Sequence, residues 1–269
     1  MADPIKGIDH VVISVTDAAG AAEAFTRLGF TVSPAGRLSG TRLGTEGRGI
    51  MFQRNHIALI APEAGRKDQP EGLALVAIGT TDMAALPVEV EESYEVVRIT
   101  ELPEGPAETR LCMGRVGDNV MPGLVAQFVQ RLSDEAQRRA DWLSHPNGAA
   151  AIQSITTLVQ DPEDLMGAYD RLFGEGAATR SDSMVTVNTG DGLLVFATPN
   201  SFRNLHPDVE ISRRQKLPRM AAITFTVSDP GVTAKVLAGR GIDYTREADG
   251  SVRVAPEDAS GVLLYFARG

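Results

Sequence analysis

The chain has 269 residues, of which 43% are hydrophobic and 23% charged, an ordinary globular balance that excludes disorder as the default state. Its net charge of −9 works against non-specific attraction to nucleic acid and to anionic membrane surfaces, and 5% aromatic content offers no stacking platform for bases. The single cysteine, Cys112, excludes an intrachain disulfide and a thiolate metal cage, and reads as an inert strand residue.

Along the chain one pattern recurs: an apolar strand ending in Asp, a helix, then Gly at a turn. The first copy is Ile8-Asp-His-Val-Val-Ile-Ser-Val-Thr-Asp17, with a helix reaching Leu28-Gly29-Phe30. Strands are predicted to follow at Gly49–Gln53 and His56–Ala61. A degenerate copy, Leu73 to Asp82, has its helix cut short by Pro87; strands are predicted at Tyr94–Thr100, Thr109–Val116 and Leu124–Gln130. Ser133 to Gly148 is polar and helix-prone, closes with His145-Pro-Asn-Gly148, and reads as a link between halves. The third copy is Ile152 to Asp161, reaching Gly174, with strands at Met184–Thr189 and Leu193–Thr198. Asn200 to Pro218 is a charged excursion whose basic cluster, Arg213, Arg214, Lys216 and Arg219, reads as solvated linker. The fourth copy is Met220 to Asp229, reaching Gly241, with strands at Ser251–Ala255 and Val262–Ala267.

The three clear copies run Asp17 to Gly29, Asp161 to Gly174 and Asp229 to Gly241, spacings of 12, 13 and 12 residues, which is the mark of an internal repeat. The local physics is consistent with it. Each Asp is placed to cap the first turn of its helix, Pro162 and Pro230 sit where a missing N–H costs nothing, and each Gly is expected at positive φ. Each unit therefore reads as β-α-β-β-β. The expected fold class is α+β: four such modules paired into two curled mixed-sheet cups. The expected domains are 1–132 and 149–269, with 133–148 as linker.

The residues Ile8-Asp9-His10-Val11-Val12, Leu28-Gly29-Phe30, Leu43-Gly44-Thr45-Glu46 and His56-Ile57-Ala58-Leu59-Ile60-Ala61-Pro62, with the segment from Pro122 through Gln127 to Gly148, resemble the glyoxalase-like bacterial subgroup of the vicinal oxygen chelate superfamily, which also holds bleomycin-resistance proteins and extradiol dioxygenases. The resemblance covers all four modules. It implies that paired modules enclose a cup, with metal ligands (His, His or Gln, and Glu) on first and last strands. A mixed N/O set of this kind is consistent with Zn, Fe, Mn or Ni acting as Lewis acid and template.

Carried onto this chain, the implied ligand pattern is depleted. His10 stands at the first-strand position of module one; Leu75, Ser154 and Ala222 stand there in the others. The last-strand Glu falls at Ala58, near Gln127, at Val195 and at Tyr265. His56 lies two residues before Ala58 and so on the same strand face. His10, His56 and Gln127 are therefore the candidate catalytic and metal-binding residues, with Glu46 a further group of unknown direction. His56 begins its strand and reads more readily as a surface residue than as a ligand, His145 reads as structural and His206 as exposed. Strand alternation puts His10, Val12 and Ser14 on one face, with Asp9, Val11 and Ile13 on the other.

Two functions remain open. One is a small-molecule enzyme using isomerase, lyase or oxygenase-type chemistry on an oxygenated substrate in the cup of modules one and two. The other is a metal-free binding or resistance protein of the same fold. Extradiol dioxygenases of this superfamily keep their ligands in modules three and four, where Ser154, Ala222 and Tyr265 stand here. No nucleophile elbow, phosphate-binding loop or dinucleotide fingerprint is present. The expected partner is a small molecule, with neither nucleic acid nor membrane, in a monomer or homodimer. The residues from Met1 to Gly7 hold no apolar signal core, and no apolar run is long enough to span a bilayer, so the expected location is cytoplasmic.

Overall fold

The computed structural model describes residues 4–41, 43–62, 71–133, 138–207, 209 and 216–269. Its first module is β1 (Ile5–Ser14), α1 (Ala18–Arg27), β2 (Gly36–Ser39), β3 (Glu46–Met51) and β4 (His56–Ala61). The second is β5 (Gly72–Thr80), β6 (Glu92–Leu102), β7 (Gly105–Arg115) and β8 (Ala126–Arg131). The third is β9 (Ala149–Leu158), α2 (Met166–Phe173), β10 (Ala178–Ser181), β11 (Met184–Asn188) and β12 (Leu193–Ala197). After α3 (Pro199–Leu205) comes the fourth: β13 (Arg219–Val227), α4 (Pro230–Gly239), β14 (Thr245–Arg246), β15 (Val252–Val254) and β16 (Leu263–Arg268).

The repeat is visible in the caps. Asp17 accepts from Ala19 N–H at 2.9 Å, Asp82 from Ala84 N–H at 2.9 Å, Asp161 from Glu163 N–H at 3.1 Å and Asp229 from Gly231 N–H at 2.8 Å. The terminating glycines take positive φ: 88° at Gly29, 103° at Gly174 and 67° at Gly241. The second module departs as its sequence dictates, with only a 3-10 turn at Met83–Ala85 before Pro87. In the connecting segment a 3-10 turn at Ala140–Trp142 is formed, while 134–137 lie outside the described residues. The excursion after β12 begins with the short helix α3; Arg213 and Arg214 of the basic cluster lie outside the described residues, and Lys216 is exposed.

Modules one and two close into a barrel of order β1-β4-β3-β2-β6-β7-β8-β5, and modules three and four form an eight-stranded sheet of order β10-β11-β12-β9-β13-β16-β15-β14. Within each half the first strands pair antiparallel, and each first strand pairs parallel with the last strand of its own module. Strand length decides closure. β6 and β7 have 11 residues each, and β6 reaches β2 to seal the seam from Gly36↔Thr100 to Ser39↔Val97. In the other half β14 has only 2 residues and β15 only 3, so the sheet stays open.

The two sheets share one apolar core built from their outer faces and helices, containing Val11 and Ile13 from β1 and Phe225 and Phe266 from β13 and β16. Phe30 is its hub, with ring centroids 5.1 Å from Phe225, 5.9 Å from Phe266 and 6.4 Å from Phe52. Polar contacts fix the register between halves. Buried Asn55 donates to Ile152 C=O at 3.1 Å and accepts from Ile152 N–H at 2.9 Å. His145 is structural as expected: Nδ1 accepts from Thr31 N–H and Nε2 donates to Met51 C=O, both at 3.0 Å. No helix among the described residues is long and apolar enough to cross a membrane.

Truncating Asn55 to Ala orphans two buried backbone groups of Ile152. Asn55→Ala should therefore lower the urea-unfolding free energy by about 2 kcal/mol or more. A variant as stable as the parent would show that the halves are not joined through this pair.

Candidate active site

The barrel encloses a cavity of about 70 Å³, lined on one wall by His10 and Val12 of β1, His56 and Ala58 of β4, Leu75 of β5 and Gln127 and Arg131 of β8. An eight-stranded barrel is wide enough for side chains or one small ligand. At 10–15 Å³ per water, this volume holds roughly five water-sized groups. Val12, Leu75, Ala77, Val96, Met113 and Val129 form an apolar cluster inside the barrel, and Thr41, Arg48, Arg98 and Thr109 add polar groups to the lining.

All three candidate residues reach this cavity. The sheet register puts them in one row: His56 is opposite His10, His10 opposite Ala77, and Ala77 opposite Gln127. The His10 and His56 rings stack with centroids 4.6 Å apart and planes at 26°. Gln127 Oε1 accepts from Tyr94 OH at 2.7 Å, which leaves its amide N–H donors for the cavity. His10 and Gln127 stand two strands apart, about 10 Å between Cα atoms. Ala77, between them, fills little of the gap.

Several expectations need correction. His56 is not a surface residue but only 6% exposed. Glu46 points away from the cavity, its side chain 51% exposed and 4.0 Å from Arg48. His206 is half-buried, its ring 4.7 Å from Phe202 and 5.1 Å from Tyr265. Ser154, Val195 and Tyr265 do face a cavity in the second half, of about 460 Å³, while Ala222 is packed in the apolar cluster beside it.

The main correction concerns Asp9. Alternation places it under the helix with Val11, yet its carboxylate lies beside His10. The cause is a β-bulge: Ile8 pairs with Ile78 and His10 with Ala77, so Asp9 is an extra residue with no partner of its own on β5. A bulge re-aims a side chain, and this one turns Asp9 to the same side as His10. Asp9 Oδ1 accepts from His10 Nδ1 at 2.7 Å. Arg131 grips the same carboxylate with Nε and an Nη, both at 3.0 Å. Asp9 and Arg131 were not singled out from sequence; the one signal was a pair of opposite charges inside apolar strands.

Burial alone would raise the pKa of Asp9. The hydrogen bond from His10, with the charges of His10 and Arg131, outweighs burial and holds the carboxyl well below its usual range. His56 is pushed well below the ordinary histidine value by burial first, then by repulsion from His10, with Asp9 opposing. Its Nδ1 is buried without a hydrogen-bond partner among the described residues and lies 4.0 Å from Asp9 Oδ1.

Asp9, His10 and His56 offer donor atoms within 4.8 Å of one another, so a divalent ion has to be considered. The charges oppose it. Both Asp9 oxygens are committed to Arg131 and His10. The remaining donors, two imidazoles and the Gln127 amide, carry no negative charge, and among the described residues the cavity lining holds Arg48, Arg98 and Arg131 but no Asp or Glu. These residues do not fit a divalent cation as arranged, and the metal role expected for His10, His56 and Gln127 is not carried into the mechanism.

The comparisons agree with this fold. A family model described as a glyoxalase-like domain matches residues 8–173, more than half of the chain, and the chain belongs to that family, within the vicinal oxygen chelate superfamily. Among solved structures it is similar to a hypothetical protein from Staphylococcus aureus, with TM-score 0.64 and 11% identity over 98% of this chain and 100% of that one. A mutant of 4-hydroxymandelate synthase from Streptomyces coelicolor gives TM-score 0.57 and 12% identity over 99% and 94%. A variant of homoprotocatechuate 2,3-dioxygenase from B. fuscum gives 0.54 and 10% over 98% and 72%. Identities this low carry the fold alone. No curated protein sequence matches the chain.

The lowered histidines make a pH prediction. His56 and His145 are both shifted down, His145 by burial. Below about pH 6.5 the unfolded chain binds protons at these rings and the folded chain does not, so the stability they contribute is present above that pH and lost as pH falls. Unfolding free energy should decrease from about pH 7 to about pH 5.5, and His56→Gln should flatten that slope by up to about 1.4 kcal/mol per pH unit. An unchanged slope in His56→Gln would contradict a buried, uncharged His56.

Proposed function

We propose that the chain is an enzyme that moves a proton on a small oxygenated molecule, in isomerase or lyase-type chemistry, within the barrel of modules one and two. The observation that carries this reading is the Asp9–His10 bond. With Nδ1 hydrogen-bonded to Asp9, the tautomer is set and Nε2 is left as the acceptor facing the cavity. This is the arrangement of a general base held by a carboxylate.

The row of side chains suggests the roles. A substrate lying over Ala77 places a C–H near His10 and an adjacent carbonyl oxygen near the Gln127 amide N–H. His10 Nε2 takes the proton, the C–H electron pair moves into the carbonyl, and an enolate oxygen forms against Gln127 and the cationic wall. In a substrate whose reacting C–H carbon bears a hydroxyl, the hydroxyl proton passes to the enolate oxygen, the proton on His10 returns to the former carbonyl carbon, and the hydroxyl oxygen becomes the new carbonyl, which completes an isomerisation without any other reactant. His56, uncharged and stacked on His10, hydrogen-bonds the substrate without adding positive charge beside the base. Arg131 keeps Asp9 ionised, and Asp9 keeps His10 in place.

A binding protein of the same fold is the competing reading, favoured by the absence of any carboxylate from the cavity lining among the described residues. Incubation in heavy water with a panel of small hydroxy- and oxo-compounds separates the two. Proton NMR should show enzyme-dependent exchange at a carbon next to a carbonyl, and His10→Gln should slow it by about a hundredfold or more. A compound that binds in the cavity, neither exchanges nor reacts, and binds His10→Gln equally well would sink the enzymatic reading.

A further inference from the structure

The second half repeats the construction of the first and fills it with different groups. In modules one and two the row across the sheet reads His56, His10, Ala77 and Gln127 on β4, β1, β5 and β8. In modules three and four the same row, on β12, β9, β13 and β16, reads Leu193, Ser154, Thr224 and Tyr265. The bulge is repeated as well. Ser154 pairs with Thr224 and Ile152 with Phe225, so Gln153 is the extra residue that Asp9 is in the first half. Gln153 Oε1 is buried without a hydrogen-bond partner among the described residues.

Ser154, Thr224 and Tyr265 line the open cavity of about 460 Å³, together with Thr156, two residues along β9. At 10–15 Å³ per water, this volume holds roughly thirty water-sized groups or more, far beyond the closed barrel. Ser154 is 8% exposed, and its hydroxyl makes no hydrogen bond among the described residues; nor do those of Thr156 and Thr224. The position that carries the base in the first half thus carries an uncommitted hydroxyl in the second, again facing a cavity. A buried hydroxyl calls for a partner, and the cavity is where one can come from.

The rest of the lining narrows the ligand. Two carboxylates belong to it. Glu247 is gripped by the buried guanidinium of Arg253, so its charge is matched. Asp249 is exposed and accepts from Ser251 N–H at 2.9 Å and Ser251 Oγ at 2.7 Å. Those bonds, with a smaller pull from His206, hold its carboxyl below the usual value, so it stays ionised at neutral pH. Among the described residues no Lys or Arg lines the cavity, and Met184, Val195, Phe202 and Leu205 give it an apolar part. Ser and Thr hydroxyls both donate and accept. An ammonium cannot accept their protons, and a carboxylate would meet Asp249; a ligand hydroxyl both accepts and donates and carries no charge. Cross-strand Ser154 and Thr224 stand about 5 Å apart between Cβ atoms, a span that two adjacent hydroxyls of one molecule bridge. We infer that the second cup is a separate binding site for an uncharged molecule with neighbouring hydroxyls on an apolar body, as in a glycoside, held by Ser154, Thr156 and Thr224. The site is independent of the chemistry proposed for the first barrel, which stands or falls by its own test.

The test titrates phenyl glucoside, galactoside, mannoside and xyloside into the full chain, with binding read by backbone NMR shifts and thermal shift. Phenyl glucuronide adds a carboxylate to the same ring system, and phenethylamine offers an apolar body with an ammonium and no acceptor. At least one neutral glycoside should bind with Kd on the order of millimolar or tighter, moving signals of β9 and β13. The glucuronide and the amine should bind several-fold more weakly. Ser154→Ala, and Thr224→Val, which keeps the side-chain shape, should each weaken the best glycoside by about threefold or more. Ser154→Ala should melt no lower than the parent, because the hydroxyl it removes has no partner within the protein. No glycoside binding, shifts confined to the first barrel, or a charged probe that binds as tightly as the best glycoside would each overturn the inference. So would unchanged affinity in the two variants, or a Ser154→Ala protein that melts lower, which would make the hydroxyl structural.

Discussion

A carboxylate inside an apolar barrel has to be paired, and the Asp9 pairing organises the rest of the site. Its side chain is 9% exposed and meets two partners, the His10 imidazole and the Arg131 guanidinium. Removing one partner from a buried pair costs about 3–5 kcal/mol, so each holds the others in place. β1 and β8 are separated by β5, and the Asp9–Arg131 contact bridges over it. The same contact fixes the imidazole that the proposed reaction uses, which couples barrel integrity to the orientation of the base.

The two halves share a repeat and diverge in use. Long β6 and β7 close the first sheet around a cavity of about 70 Å³, whereas the two-residue β14 leaves the second open around about 460 Å³. A small space between apolar walls strengthens the charges inside it. The back-to-back packing through Phe30, Phe225 and Phe266 makes the second half a support for β1 from behind. Ile8 N–H, just before the bulge, is bound by Asp191 C=O of that half at 2.8 Å.

Much of the fold was legible because its signals are local. The Asp caps and helix-ending glycines recur at fixed spacing, and Pro87 shortens the second helix by a rule of one residue. Within the site, His10 was legible by its place in the family pattern and His56 by its two-residue offset from Ala58. Asp9 was not, because the period-two rule fails at a bulge and nothing in Ile8-Asp9-His10 announces one. Arg131 and Arg98 were not legible either: their roles depend on contacts to Asp9 and Ser33, more than sixty residues away in each case, that only barrel closure creates. His206 read as exposed because nothing local says that α3 folds back towards Tyr265.

The account stands on the orientation of His10, and nitrogen-15 NMR of the histidine rings measures it directly. Near neutral pH the His10 resonances should report a proton on Nδ1, in a hydrogen bond to Asp9, and a bare Nε2. Asp9→Asn should disturb that pattern while the His145 signals, set by Thr31 and Met51, stay unchanged. A His10 ring protonated on Nε2, or one indifferent to Asp9→Asn, would contradict the account.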